Sequence, residues 1–226
     1  MNLVPKMQDV ESAAVITESI VISGSRIVVE RPADMDRLID SHDVGSLFRK
    51  VDYLPYWATI WPVSRALASK IICAGWNHHS SVLELGCGLG LAGLAAMIKG
   101  HDVTFSDYDE NALSYAARNA RLNGNPDPKI LPMNWRDPRD FRFDVIIGAD
   151  LTWDQALVPH VVKVFARMLK PDGVIWLADQ NRLIPDYFSA LLHESGLRVT
   201  RQEPLDLDAN WGWDIAGTFY EICRHA

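Results

Sequence analysis

The sequence predicts an α/β fold with a doubly wound sheet of seven strands, one of them antiparallel, and a small N-terminal extension made of a β-hairpin and a helix. Apolar strands alternate with helical patterns five times from Val82 onward. A glycine-rich turn joins the first of these strands to its helix. The last two strands have no helix between them, and strands joined by a loop alone are usually antiparallel neighbours. These three observations together indicate the fold class.

Composition limits the classes of function. The chain has 226 residues, a formal charge of −7 and an isoelectric point near 5.4. This acidic balance, without a Lys/Arg cluster, argues against nucleic acid as a partner. Three widely spaced cysteines indicate neither a disulfide framework nor a metal site. No apolar run approaches the length of a membrane span, so we expect a cytoplasmic monomer with no membrane or metal partner.

The N-terminal extension carries no recognisable chemistry. We expect it to cover residues 1–53, with residues 1–16 frayed and the main domain at residues 54–226. Glu18–Arg31 predicts two short strands with alternating apolar residues and a Ser-Gly-Ser turn between them. Ala33–Asp40 has a short helical pattern. We interpret this region as a lid or edge extension of the main sheet.

The main domain opens with an aromatic segment, LPYWATIWP, at residues 54–62. Pro62 suits the first position of a helix, which we expect to continue over Val63–Ala74. Trp57 and Trp61 are four residues apart and could share one face. Either ring could simply pack at a domain edge. Trp61 is the better ligand candidate because it immediately precedes a helix that must lie beside the glycine turn.

The glycine turn has two competing interpretations. Gly88-x-Gly90-x-x-Gly93 matches the dinucleotide fingerprint, but its first glycine is two residues late for the end of the strand. Glu84-x-Gly86-x-Gly88-x-Gly90 fits the strand end, and a carboxylate at its start suits a ligand that carries an ammonium group. NAD has no such group. A tight strand–helix turn without a ligand is the third possibility.

Asp107 ends the next strand, which we expect at Asp102–Ser106. An acidic side chain at the tip of the second strand is placed to accept hydrogen bonds from both hydroxyls of a ribose. Asp107 could instead cap the following helix, but Asp109 fills that role better. The turn and Asp107 together favour a nucleoside-containing ligand.

Two later strand ends carry further candidates. Trp135 follows a weak strand at Lys129–Leu131 and could stack on an adenine or pack on a neighbouring helix. Phe143–Gly148 is the strongest strand in the sequence and leads into Asp150. Asp150 lies where ligands of open α/β sheets bind, or it caps the next helix, a role that Asp154 could also fill.

The C-terminal part completes the predicted sheet. Pro171–Gly173 predicts a turn into the strand Val174–Ala178, and a helix follows at about Pro185–Glu194. Leu197–Arg201 and Gly217–Arg224 then predict the two final strands.

The sequence resembles the seven-strand, Rossmann-like methyltransferases that use S-adenosylmethionine (SAM), in particular the methyltransferase-like family of lysine methyltransferases. The resemblance covers about residues 54–223. It depends on the segments PYWATIWPVSRALA, ELGCGLGLAGLAA, DYDENALSYAARNARLNG, NWRD and GADLTWD. It implies SAM as cofactor, held by Trp61, Glu84, Gly86, Cys87, Gly88, Gly90, Asp107, Tyr108, Asn134, Trp135 and Ala149.

The same resemblance implies an acceptor site at Asp150 and Trp153. Asp150 begins an acidic-x-x-aromatic motif beside the acceptor amine, and Trp153 stands where the family usually has Tyr or Phe. A carboxylate favours the charged ammonium, so we assign Asp150 the orientation of the amine and expect the sulfonium of SAM to lower the pKa of that amine. The expected partner is a protein with a target lysine, or a small amine.

Several alternatives stay open from the sequence alone: a small-molecule N-methyltransferase, a SAM-binding module without catalysis, and an NAD enzyme. An exposed acidic rim at Asp206, Asp208 and Asp214 would favour a protein lysine as acceptor, and a closed pocket would favour a metabolite.

Overall fold

The computed structural model describes residues 3–182, 185–205 and 216–225. The acidic residues Asp206, Asp208 and Asp214 lie outside this part of the chain. The strands are β1 (Val15–Ile22), β2 (Ser25–Pro32), β3 (Ser81–Leu85), β4 (Asp102–Asp107), β5 (Lys129–Pro132), β6 (Phe143–Ala149), β7 (Leu169–Asp179), β8 (Leu197–Leu205) and β9 (Gly217–Arg224). The α-helices are α1 (Gln8–Ser12), α2 (Met35–Ile39), α3 (His42–Val51), α4 (Pro62–Ile72), α5 (Leu91–Ile98), α6 (Glu110–Leu122), α7 (Val158–Met168) and α8 (Pro185–Glu194).

The main sheet has seven strands in the order β5-β4-β3-β6-β7-β9-β8. The strands from β5 to β7 pair in parallel, whereas β9 is antiparallel to both of its neighbours. The chain therefore winds outward from β3 through β4 to β5, then returns to β6 and winds the other way. This arrangement confirms the predicted fold class, and it opens a crevice at the carboxyl ends of β3 and β6, where the direction changes.

Helices cover both faces of the sheet because its central strands are apolar on both sides. One cluster of buried residues includes Leu67 of α4, Leu94 of α5 and Ala116 of α6. The other includes Phe165 of α7 and Leu192 of α8. The sheet is thus enclosed between two helical layers, which directs the search for a ligand site to its strand ends.

Most helix boundaries agree with the signals in the sequence. Pro62 is the first residue of α4. The side chain of Asp109 caps α6 by accepting a hydrogen bond from the backbone N–H of Asn111. Gly124 follows that helix with a φ of 95°. One expectation was wrong: β7 starts at Leu169, before the predicted turn, with a register shift in its pairing to β6. The helix α3 had no counterpart among the predicted elements.

The N-terminal region is attached to the end of β4, so the expectation that residues 1–16 are frayed was wrong for the described residues from Leu3 onward. The backbone N–H of Val4 donates to the carbonyl of Tyr108 at 2.9 Å, and the carbonyl of Val4 accepts from the N–H of Glu110 at 2.9 Å. The hairpin of β1 and β2 is held by Asn119 of α6 and by Asn123, which follows that helix; the amide groups of both bond the backbone of β2. None of the helices in the described part of the chain has the length and apolar character needed to span a bilayer.

Candidate active site

A cavity of about 370 Å³ lies at the carboxyl ends of β3, β4 and β6. Most of the predicted site residues line it: Trp61, Glu84, Gly86, Cys87, Gly88, Asp107, Tyr108, Trp135, Ala149, Asp150 and Trp153. Gly90 and Asn134 were also predicted, but neither belongs to the lining. The lining further includes Tyr56, Leu151 and Arg182, which had not been singled out.

The glycine turn needs its first two glycines for space and conformation. Gly86 has a φ of 61°, and a Cβ there would lie 2.7 Å from a methyl of Leu151 and 3.0 Å from the ring of Trp135. Gly88 has a φ of 51°, and its Cβ would lie 3.3 Å from the carbonyl of Trp57. Both residues therefore keep the backbone of the turn open towards the cavity.

Gly90 allows two elements of the fold to pack closely and does not line the cavity. It has a φ of 86°, and a Cβ there would lie 3.1 Å from the ring of Phe105. It also directly precedes α5. The third glycine of the motif thus lets α5 pack closely against β4, which explains why it lies behind the wall of the cavity.

Asp107 is buried and organises the turn. Its Oδ2 accepts a hydrogen bond from the backbone N–H of Gly88 at 3.0 Å, and its Oδ1 accepts from the N–H of Asp109 at 3.1 Å. Burial and the neighbouring Asp109 raise the pKa of Asp107 to about 7. Asp109 caps α6 as predicted, so Asp107 is left to face the cavity.

Glu84 is a second buried carboxyl group in the lining, with 5% of its surface exposed. Burial raises its pKa to about 8, although the backbone N–H groups of Ala92 and Gly93 lower it in part. Its Oε2 has no hydrogen-bond partner among the described residues. A buried acceptor without a partner is costly, and a ligand with a donor group would satisfy it.

Cys87 lies between these two carboxyl groups in the turn. Its thiol is buried, and burial together with the nearby Asp107 and Glu84 raises its pKa well above the ordinary value. A neutral thiol is a poor nucleophile. Cys87 therefore contributes a wall of the cavity and, through its N–H to the carbonyl of Ser106 at 2.9 Å, the anchorage of the turn.

Aromatic rings form the mouth of the cavity. The ring of Tyr56 lies 6.1 Å from that of Trp61 and 5.6 Å from that of Trp153, measured between centroids. Tyr56 and Trp153 are both exposed. Trp135 lies deeper, and its buried indole N–H has no partner among the described residues. These rings provide flat apolar surfaces along the cavity.

Trp57 and Tyr53 connect the aromatic segment to the end of β4. The indole N–H of Trp57 donates to the hydroxyl of Tyr53 at 3.0 Å, and that hydroxyl donates to Asp109. The ring of Trp57 also lies 5.2 Å from that of Tyr115. The packing role considered for Trp57 is therefore present, and Tyr53 is a supporting residue that no sequence pattern had indicated.

Asp150 occupies the opposite side of the cavity, directly after β6. Its Oδ2 accepts from Nε2 of Gln180 and pairs with Nη1 of Arg182, both at 3.1 Å. Its Oδ1 is buried without a partner among the described residues. The pKa of Asp150 is raised to about 6, chiefly by burial; Arg182 lowers it in part, and Asp179 raises it.

The capping role considered for Asp150 belongs to Asp154. The side chain of Asp154 accepts from the N–H of Ala156 at 2.9 Å and caps the short 3₁₀ helix Gln155–Leu157. Asp150 itself has a φ of 57°, a conformation that non-glycine residues seldom adopt. Residues in such conformations cluster at ligand-binding and catalytic sites, and Asp150 is the one that lines the cavity among the described non-glycine residues with a positive φ.

Asp179, at the end of β7, holds both loops around Asp150. Its Oδ2 accepts from the hydroxyl of Thr152, and its Oδ1 accepts from the N–H of Arg182 at 2.7 Å. Asp179 is fully buried. It therefore fixes the position from which Arg182 reaches Asp150. The position of Asp179 and Arg182 directly after a predicted parallel strand is a signal that could have placed them near the crevice.

Side chains that could gather around a metal occur elsewhere among the described residues. Ligand atoms of Asp9, His42 and Asp43 lie within 4.8 Å of one another. Asp9 already accepts from the backbone N–H of Asp43 at 2.7 Å. None of the three lines the cavity.

The fold and the cavity define the class: this is the architecture of SAM-dependent methyltransferases. The ribosomal protein L11 methylase of Lactobacillus delbrueckii subsp. bulgaricus has a TM-score of 0.58 and 20% identity, over 71% of this chain and 78% of that one. A Thermus thermophilus 16S rRNA methyltransferase solved with SAM and guanosine has a TM-score of 0.62 and 17% identity, over 95% and 51% of the two chains.

The chain belongs to the lysine methyltransferase family, whose model matches residues 59–193. It is 29% identical to the protein N-lysine methyltransferase METTL21A of Xenopus tropicalis, over 65% of this chain and 75% of that protein. It is 36% identical to the electron transfer flavoprotein β-subunit lysine methyltransferase of Rattus norvegicus, over 46% of this chain and 41% of that protein. The chain thus spans less than half of the second relative.

The residues present fit SAM as cofactor. The unpartnered Oε2 of Glu84 offers an acceptor for an ammonium group, and Asp107 offers carboxylate oxygens for ribose hydroxyls. A side chain at Gly86 would collide with Leu151, and one at Gly88 would crowd the backbone of Trp57, so the turn presents bare backbone to the cavity. A dinucleotide has no ammonium group to offer the buried carboxyl group of Glu84.

Proposed function

We propose that this protein transfers a methyl group from SAM to the side-chain amine of a lysine in another protein. The observation that carries the proposal is the position of Asp150. This carboxylate lies on the same cavity as Glu84 and Asp107, on the side formed by β6. One cavity thus contains residues for binding the cofactor, Glu84 and Asp107, and a carboxylate, Asp150, that can accept a hydrogen bond from an amine.

Each end of the cavity has its own task. Glu84 accepts hydrogen bonds from the ammonium group of SAM, and Asp107 accepts them from the ribose hydroxyls, with the N–H of Gly88 holding Asp107 in place. Trp135 offers its ring to the adenine. Tyr56 and Trp153 flank the entrance through which the lysine side chain reaches the methyl group.

SAM supplies an electrophilic methyl group on its sulfonium. The protein has to align an uncharged amine with it and exclude water. Asp150 accepts an N–H of the amine and thereby turns the nitrogen lone pair towards the methyl group. Because its Oδ1 is otherwise without a partner among the described residues, the carboxylate has an acceptor to spare for this bond.

The names of the relatives support a protein as the methyl acceptor. They include lysine methyltransferases of electron transfer flavoprotein and of EEF1A. The relative from Dictyostelium discoideum is named as a histidine protein methyltransferase, with 24% identity over 66% of this chain and 49% of that protein. The open, aromatic mouth at Tyr56 and Trp153 suits a side chain presented on a protein surface.

The proposal is tested by incubating the protein with SAM tritiated on its methyl group and a lysate from cells that lack the protein. We expect tritium in one or a few protein bands. The matched control is Asp150→Asn, which keeps the shape of the side chain and should leave those bands unlabelled. Tritium only in the small-molecule fraction would contradict a protein acceptor.

A further inference from the structure

Arg182 stands at the place where a positively charged acceptor would bind. Arg182 lines the cavity; its Nη1 pairs with Oδ2 of Asp150 at 3.1 Å, and its Nη2 donates to the side-chain carbonyl of Gln180 at 3.1 Å. The backbone N–H of Arg182 donates to the buried Asp179 at 2.7 Å. The guanidinium is thus held beside Asp150 by its bond to Gln180, and the backbone of Arg182 is held by Asp179.

This arrangement bears on the charge of the acceptor. A lysine amine in water has a pKa of about 10.4 and arrives as an ammonium, which has no lone pair for attack. A carboxylate on its own would stabilise that charged form. A guanidinium keeps its proton at all working pH values, so Arg182 neutralises Asp150 while leaving it able to accept a hydrogen bond.

We propose that Arg182 is a positioning residue that makes the acceptor site select the uncharged amine: its guanidinium takes the place beside Asp150 that an ammonium would otherwise occupy. An acceptor in its protonated, ammonium form then meets two like charges, the guanidinium and the sulfonium of bound SAM. The amine therefore reaches Asp150 only after it has lost its extra proton. This inference rests on the proposed function and names the residue that sets the protonation state of its acceptor.

The other charged groups near Asp150 are consistent with this role. Asp179 faces it from the end of β7 and is itself bonded to Thr152 and to the backbone of Arg182. Glu84 and Asp107 lie on the side of the cavity formed by β3 and β4. Burial raises the pKa of Glu84 to about 8 and that of Asp107 to about 7. Arg182 is the cation in the described lining of the cavity.

The kinetic test uses the protein band labelled in the lysate as acceptor, over a range of lysate concentrations and pH. In Arg182→Gln the ammonium form should bind beside Asp150, so the apparent KM should fall several-fold while kcat near neutral pH drops about tenfold. The pH profile of kcat should move by about one pH unit towards higher pH, which is the size of effect expected when one partly solvated charge is removed. Arg182→Lys keeps the charge and should retain the wild-type profile.

A second readout needs no acceptor. The carboxyl groups of aspartates labelled with ¹³C can be titrated by NMR, with Asp150→Asn identifying the signal of Asp150. Removing the cation in Arg182→Gln should raise the pKa of Asp150, and Arg182→Lys should leave it near the wild-type value. Arg182 is exposed, so its replacement should not unfold the protein, and an unchanged melting temperature of both variants establishes that the comparison is between folded proteins.

The outcomes separate the two proposals. If the wild-type protein labels no protein at all, the proposed function fails and this inference fails with it. If the wild-type protein labels its band but Arg182→Gln shows an unchanged pH profile, or a raised KM and lowered kcat with no shift in pH, the inference alone is overturned. A pKa of Asp150 that is equal in wild type and Arg182→Gln would also overturn it.

Discussion

Oδ2 of Asp107 accepts a hydrogen bond from the backbone N–H of Gly88 at 3.0 Å, which ties the end of β4 to the glycine turn after β3. The turn and the carboxylate therefore form one unit, although they belong to different strands. Because Asp107 also accepts from the N–H of Asp109, both of its oxygens are directed by the backbone. This leaves their remaining lone pairs in a fixed orientation towards the cavity.

Asp107→Ala should weaken the binding of SAM by roughly tenfold to hundredfold, since a hydrogen bond to a charged group contributes about 1.5–3 kcal/mol. Calorimetric titration with SAM measures this effect, and titration with NADH serves as the comparison. Because the side chain also bonds the backbone of Gly88, the melting temperature of the variant is measured in parallel. Binding of NADH by the wild-type protein, or an affinity for SAM that Asp107→Ala leaves unchanged, would contradict the assignment.

Glu84→Gln should stabilise the protein without cofactor at neutral and alkaline pH. Burial raises the pKa of Glu84 from 4.5 to about 8, so the folded state holds a proton that the unfolded state has lost. The stabilisation from that proton is full below about pH 4.5 and is lost as the pH rises through about 8. The glutamine variant, which has no proton to lose, should have a melting temperature several degrees higher at pH 8 than the wild type and about the same at pH 4.5.

The same variant should bind SAM more weakly, because an amide does not offer the charge that an ammonium group prefers. Stability and cofactor binding would thus move in opposite directions. A loss of both at pH 8 would show that Glu84 supports the fold through its bonds to Ala92 and Gly93 rather than the cofactor.

Trp135→Ala should weaken SAM and its demethylated product equally, by roughly threefold to tenfold, because both contain the adenine on which the ring would stack. Trp135→Phe is the matched control and should keep most of the affinity. Calorimetry with both ligands decides the point. Since the ring of Trp135 also lies against Gly86, unchanged affinity with a lowered melting temperature would identify it as a packing residue only.

Asp150→Asn should reduce methyl transfer by roughly a hundredfold or more, as expected when a reacting group loses its alignment. The affinity for SAM should change little, because Asp150 lies on the acceptor side of the cavity; the melting temperature is measured in parallel, because the variant also loses the ion pair with Arg182. Asp154→Asn is the control: it alters the cap of the short 3₁₀ helix and should leave methyl transfer nearly unchanged. If the Asp150 variant transferred methyl groups at the wild-type rate, its place in the acceptor site would be wrong.

Local sequence patterns were sufficient for the sheet, the glycine turn and the carboxylates at strand ends. Strand ends of a parallel sheet meet at one edge, so Asp107 and Asp150 could be placed on the crevice from their positions alone. The packing of Gly90 could not be predicted, because its neighbour Phe105 comes from the next strand. A motif shows where glycines occur but not which contact requires each of them.

Contacts made by loops could not be predicted. Arg182 reaches Asp150 because Asp179 holds its backbone and both loops end on the same cavity, and no periodicity records such a pairing. Val4 joins the end of β4 through backbone groups alone, which leave no trace in the side-chain pattern. The sequence therefore indicated the cofactor side of the site more completely than the acceptor side.

The amino acid that receives the methyl group tests the central claim most directly. The protein band labelled from tritiated SAM is hydrolysed in acid, and its amino acids are separated against standards of methylated lysine and methylated histidine. We predict that the tritium elutes with methylated lysine, because Asp150 and its aromatic entrance suit a long side chain with a terminal amine. Tritium in methylated histidine, or in no amino acid of the band, would contradict the account.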